Sequence, residues 1–225
     1  MAIDAGSAGD SDSYGAESPC VVKTPGGYLM AYGGFDGEIS RLHMATSSDA
    51  DRWDAHGTIM QRGPEDRGGA NHPCLLITGE RWWLFYAAYP GSGGGQRSEL
   101  VAAVSQTGAS WDRVGEILVP ERGEVAVSHP CVLEVSRTFY TFFASDDGGS
   151  IRIELATSSD GLSWDRRGTI LEPEGWGPDG SNAHTPCVVR FHDGSVAMWY
   201  AGTPVGDEEL AYRICSARFP GPWST

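Results

Sequence analysis

The chain has 225 residues, 40% of them apolar and 20% charged, with eight tryptophans, eight tyrosines and 31 glycines. So much aromatic surface demands burial and excludes a disordered chain, and the length suits one domain. Thirty acidic against 16 basic side chains leave a net charge of −14, which argues against binding a phosphate backbone and leaves a small neutral or cationic ligand open.

Residues 1–17 are polar and glycine-rich and supply at most a short strand near Ala2-Ile3. No leader-like apolar segment and no run of membrane-spanning length is present, so the expected location is the cytoplasm. Ser18-Pro19-Cys20 then opens a pattern that returns as His72-Pro73-Cys74, His129-Pro130-Cys131 and Thr185-Pro186-Cys187, with prolines 54, 57 and 56 residues apart. A period of that size marks a repeat architecture. Each phrase leads into an aromatic run that reads as a buried strand: 28–32, 82–86, 139–143 and 196–200. A strand of small residues follows at 44–47, 102–105, 155–158 and 214–217, then a turn and Trp53, Trp111, Trp164 or Trp223. The first three continue through Gly57, Gly115 or Gly168 to Ile59, Ile117 or Ile170.

Each repeat is thus four short strands, A to D, and the fold class is all-β: a β-propeller of four-stranded antiparallel blades. The blades fall at about 18–71, 72–128, 129–184 and 185–225 of a single domain spanning 1–225, the last incomplete or closed by the N-terminus. The competing expectation is a five-bladed relative short of a blade, or one completed by a second copy as a homodimer. The five cysteines recur with the repeat and form no C-x-x-C pair, so they read as buried thiols. Cys215 reads as the counterpart of Ala45, Ala103 and Ala156. The turns at 47–49 and 158–161 read as structural, their Ser and Asp side chains bonding the turn backbone.

In a blade, strand A runs down the central channel, and the D-to-A crossovers share the top face with the B-to-C loops. The residues ahead of each Pro-Cys are therefore presented together: Glu17-Ser18, Asn71-His72, Ser128-His129 and His184-Thr185. Glu17, His72, His129 and His184 are the candidate catalytic residues. Tyr14, Asp36, Asn71, Asp146, Asp179 and Asn182 are candidate substrate contacts. Glu38, Glu124, Asp147, Asp207 and Glu208 lie in the same loops, and the glycine-rich loop after Pro90 reads as a mobile surface turn.

The phrase Pro-Cys-Val-Val, the Tyr-x-x-x-Tyr run and Leu155-Ala156-Thr157-Ser158-Ser159-Asp160-Gly161-Leu162-Ser163-Trp164 resemble the five-bladed propeller superfamily of arabinanases, β-xylosidases, invertases and levansucrases, with the related mannoside phosphorylases. The resemblance covers residues 17 to 223. It implies a glutamate two residues before a blade proline as general acid, which Glu17 matches, and aspartates immediately before other blade prolines. Those positions hold Ser18, His72, His129 and Thr185, so the second carboxyl group that glycoside hydrolysis ordinarily uses is missing from its expected place.

Three readings follow. A glycosidase-like hydrolase would use Glu17 as acid and a histidine or Asp36, Asp146 or Asp179 as base. A metal-dependent hydrolase or lyase would hold a divalent ion in the channel through His72, His129 and His184; the resemblance also implies a calcium near a channel histidine. A noncatalytic propeller would bind a sugar or other small molecule.

Overall fold

The aromatic and small-residue runs pair into antiparallel sheets in a computed structural model that describes residues 3–91, 97–206 and 212–219. The chain divides into two compact units, Met1–Val119 and Pro120–Thr225. The first holds two four-stranded sheets: β1 (Gly15–Thr24), β2 (Gly27–Phe35), β3 (Ser40–Ser47) and β4 (Asp54–Thr58), then β5 (Gly69–Thr78), β6 (Arg81–Tyr89), β7 (Glu99–Ser105) and β8 (Asp112–Leu118). The second holds β9 (Ala126–Val135), β10 (Thr138–Asp146), β11 (Ile151–Ser158) and β12 (Asp165–Leu171), followed by β13 (Asn182–Arg190), β14 (Val196–Thr203) and β15 (Arg213–Phe219). A single parallel pair, Ile151 with Asn182, joins its two blades into one sheet. Among the described residues there is no helix, hence none long and apolar enough to cross a membrane.

Each blade buries a face against the next blade of its own unit. In the first unit Leu29, Ala31, Leu42 and Met44 meet Leu75, Leu84 and Tyr86. In the second, Phe142, Ile153 and Leu155 meet Ala183, Val188 and Met198. Fully burying one such side chain stabilises the fold by roughly 1.5–3 kcal/mol. At the outer end of blades one to three the tryptophan indole closes the C-to-D turn, donating to Ala50, Gly108 or Gly161 carbonyls at 3.2, 3.0 and 3.1 Å. Ser47 and Asp49, like Ser158 and Asp160, accept backbone N–H groups of their own turns. These residues are scaffold.

Several details depart from the sequence reading. Strand A starts three residues before each Pro-preceding residue, so Glu17, Asn71, Ser128 and His184 belong to the blade that follows them. Ile3 lies in a bend packed near Met30, Tyr32, Ala45 and Trp53, and adds no strand; Ala2 lies outside the described residues, as does Trp223. The fourth blade has three strands among the described residues. Ala217, not Cys215, pairs with Met198 as Ala45 pairs with Met30 and Ala103 with Leu84. Cys215 instead faces Tyr200, the rung occupied elsewhere by His43, Val101 and Glu154.

The cysteines are not uniformly buried. Cys74 is buried, Cys20, Cys131 and Cys215 are half-buried and Cys187 is exposed. Their recurrence has a physical reason that burial alone does not supply. The Cys20 sulfur accepts the Leu75 N–H at 3.2 Å, and the Cys131 sulfur accepts the Val188 N–H at 3.3 Å. A thiol at this rung therefore links strand A of one blade to strand A of the next.

Candidate active site at the start of strand A

The residue before each blade proline sits in the left-handed region: Ser18, His72, His129 and Thr185 have φ of 52°, 53°, 52° and 55°. None is glycine, so each carries local strain of order 1–3 kcal/mol. The A–B register slips at the same place, between Glu17 and Cys20, Asn71 and Cys74, and His184 and Cys187, with the matching slip in the third blade between Phe142 and Ala144. A bulge of this kind re-aims the side chains beside it. The same four-residue device is thus built into every blade.

In the first unit it joins two blades. Asn71 donates from Nδ2 to Glu17 Oε1 at 2.7 Å, and its Oδ1 accepts the His72 N–H at 2.7 Å. The Ser18 hydroxyl meets His72 Nδ1 at 2.9 Å. Asn71 is buried, whereas Glu17 is exposed at the strand end. Gly33 makes the arrangement possible, since a Cβ there would stand 2.0 Å from Asn71 Oδ1. Tyr89 is half-buried nearby, and burial together with the Glu17 charge pushes its hydroxyl up to about 12.

In the second unit His129 and His184 lie with ring centroids 5.6 Å apart, and Tyr212 meets His184 edge-on at 5.0 Å. Ser128 Oγ is 2.7 Å from His129 Nδ1, and Thr185 Oγ1 is 2.7 Å from His184 Nδ1. All three histidines therefore have a hydroxyl against Nδ1, which orients the ring. Burial lowers the His184 pKa and favours the neutral ring. Among the described residues no group of three or more His, Cys, Asp or Glu side chains is spaced to hold a metal ion.

The loop acids are committed elsewhere. Asp36 accepts the Glu38 and Ile39 N–H groups and pairs with Arg41, whose hydrogen bond holds its carboxyl far below the usual range. Asp146 accepts the Gly148 N–H at 2.7 Å, and Asp147 accepts those of Gly149 and Ser150. Asn182 Oδ1 accepts the Ile151 N–H, tying blade four to blade three. Tyr14 is exposed, its ring edge-on to Phe35 at 6.2 Å. Asp207 and Glu208 lie outside the described residues, as does most of the glycine-rich loop after Pro90.

Asp179 belongs to a second repeat that the sequence reading missed. An acid precedes the blade proline by six or seven residues in every blade: Asp12, Asp66, Glu124 and Asp179. Each fastens the segment ahead of strand A to strand B or its neighbours. Tyr32 donates to Asp12 at 3.1 Å and Tyr200 to Asp179 at 2.5 Å. In blade two Arg113 bridges Asp66 and the Tyr86 hydroxyl. In blade three, where Phe143 replaces the tyrosine, Ser145, Arg152 and Arg166 bind Glu124. The spacing was visible in the sequence and was hidden by the aspartate-to-glutamate change.

No family model matches the chain. It is 24% identical over 218 residues to the uncharacterized protein MT1551 of Mycobacterium tuberculosis (strain CDC 1551 / Oshkosh), covering 89% of this chain and 71% of that protein. It is 26% identical over 204 residues to a 1,2-beta-oligomannan phosphorylase of Thermoanaerobacter sp. (strain X514), covering 84% of this chain and 64% of that enzyme. Among solved structures, the family 117 glycoside hydrolase Zg3597 of Zobellia galactanivorans superposes with a TM-score of 0.75 at 16% identity, over 99% of this chain and 71% of that one. The beta-1,2-mannobiose phosphorylase of Listeria innocua, solved with beta-1,2-mannobiose, gives 0.73 at 14% identity over 90% of this chain and 71% of that one. The fold is the β-propeller that these solved structures share, as the blade phrase implies.

Proposed function

We propose that this propeller cleaves glycosidic bonds of small β-linked mannosides, with Glu17 as the proton donor. The observation that carries the reading is the Glu17–Asn71 hydrogen bond at the strained start of strand A. It fixes one carboxyl oxygen of an exposed glutamate and leaves the other to face a leaving-group oxygen. His72, in the adjacent blade and oriented through Nδ1 by Ser18, is the candidate base. The substrate class comes from the two phosphorylases, which resemble the chain in sequence and in fold respectively.

The engagement of Asp36, Asp146 and Asp179 bears on the reaction type. Hydrolysis ordinarily asks for a second carboxyl group to activate water or attack the sugar. Phosphorolysis does not, because inorganic phosphate is itself the nucleophile and only the leaving oxygen needs a proton. The test is incubation with β-1,2-mannobiose, with and without phosphate, followed by chromatography. Phosphate-dependent release of mannose and mannose 1-phosphate identifies a phosphorylase, and phosphate-independent release of mannose identifies a hydrolase. In either case Glu17→Gln is expected to lower the rate by about 100-fold or more; an unchanged rate removes Glu17 from the chemistry. The same committed acids favour a second reading, a sugar-binding propeller without turnover. Saturable binding of mannobiose with no product after long incubation would establish it.

A further inference from the structure

A separate constellation occupies the outer part of blade one. The His43 ring is 1% exposed, and its Nε2 lies 3.1 Å from the Ser11 hydroxyl. Its Nδ1 lies 3.6 Å from Asp12 Oδ2 and has no hydrogen-bond partner. Ser11 lines an open cleft of about 630 Å3 whose walls include Asp36, Glu38, Arg41, Gln61 and Arg62. Gly34 gives the group its space: a Cβ there would stand 2.7 Å from His43 Nε2 and 2.6 Å from Asp12 Cβ.

Fastening the segment ahead of strand A does not explain this arrangement. Asp179 and Tyr200 make the same link in blade four without an imidazole or a serine hydroxyl. The rung of His43 is filled by Val101, Glu154 and Cys215 in the other blades. Burying an imidazole with an unbonded nitrogen costs about 1–3 kcal/mol, and no other blade places one at this rung. With the proton on Nδ1 toward Asp12, Nε2 is the acceptor for the Ser11 proton, which is the polarity of an activated serine. Closing the 3.6 Å gap by about half an ångström would complete the relay, a tightening common between apo and substrate-bound sites.

We propose that Ser11 is a nucleophile activated by His43 and oriented through Asp12, and that its cleft takes a small carboxylic ester of a hydrophilic alcohol. The Ser11 oxygen attacks the ester carbonyl as its proton passes to His43 Nε2. The carbon–oxygen bond to the alcohol then breaks, and the alcohol leaves with that proton. Water, deprotonated by His43, releases the acid and restores Ser11. Gln61 and Arg62 line the same cleft and carry N–H donors of the kind that meet a developing oxyanion. The reaction is independent of Glu17 and the strand A ends.

The test uses the full chain with a fluorophosphonate probe and with p-nitrophenyl acetate. Peptide mapping is expected to find one phosphonate adduct, on Ser11. The labelling rate should fall at least 100-fold in His43→Gln and at least tenfold in Asp12→Asn, which keeps an oxygen acceptor for Tyr32. Ser11→Ala should abolish ester turnover while the melting temperature stays within a few degrees of the parent. A folded wild-type chain that gives no adduct on Ser11 overturns the proposal, as does labelling that is unchanged in a folded His43→Gln or Asp12→Asn protein.

Discussion

Single atoms decide whether the strand A device can work. Asn71 reads from the sequence as a pocket residue, but its partner Gly33 does not, because a glycine after a buried tyrosine looks like a turn residue. Its role is to leave room for the Asn71 amide. Gly33→Ala would push Asn71 aside and release Glu17 from its hydrogen bond to the Asn71 amide. Turnover of β-1,2-mannobiose is expected to fall at least tenfold, measured as kcat/KM, with a much smaller change in melting temperature. Thr141 shows the opposite case. It is fully buried, its hydroxyl has no partner, and it holds the rung that Met30, Leu84 and Met198 fill with apolar side chains. An unsatisfied buried hydroxyl costs about 1–3 kcal/mol. Thr141→Val should therefore raise unfolding stability by about 1 kcal/mol in urea melts, at a site remote from the candidate chemistry.

At the level of strands and blades, the sequence was most informative where one residue type repeats for one physical reason. The Pro-Cys phrase located every strand A, and the aromatic runs located every strand B, because a blade must bury both faces and can do so only with the same side chains at the same rungs. What it did not expose was contact between rungs. The left-handed residue before each proline is not glycine and leaves no compositional mark. The placement of Cys215 failed because counting from the aromatic run ignores which residues the β14–β15 ladder pairs. The cysteine repeat gives a test at this scale. Cys131→Val removes the acceptor of the Val188 N–H and leaves that donor buried, so it should cost about 1 kcal/mol or more. Cys187→Val, at an exposed position, should stay within about 0.5 kcal/mol. Equal losses in the two variants would show that the thiol fills space rather than accepts a hydrogen bond.

For the molecule as a whole, the net charge of −14 and the buried histidines make opposite demands on pH. Acidification from pH 7.5 toward 5 relieves repulsion among 30 carboxylates, which favours the folded state. Over the same interval the histidines act the other way. Burial lowers the pKa of both His43, against the smaller opposing pull of Asp12, and His184. In the unfolded chain each imidazole takes a proton near pH 6.5. Between that value and the lower folded value the unfolded state holds more protons, so stability is lost as the pH falls below about 6.5, by at most about 1.4 kcal/mol per pH unit for each group. The acids add a second stage further down. Arg41 depresses Asp36, and for Glu124 the Arg166 and Ser145 hydrogen bonds outweigh a burial effect that acts the other way. Their contribution is present above the ordinary carboxylate range and disappears as the pH falls through their folded values. At 0.15 M salt the screening length is about 8 Å, which weakens the diffuse repulsion but hardly touches a buried ring. The histidines therefore win at that ionic strength, and the melting temperature should fall by several degrees between pH 7.5 and 5, then more steeply below pH 4. At about 0.01 M salt, where the screening length is about 30 Å, the first decline should shrink. A melting temperature that rises on acidification at 0.15 M salt would mean that His43 and His184 take up protons in the folded chain as readily as in the unfolded one.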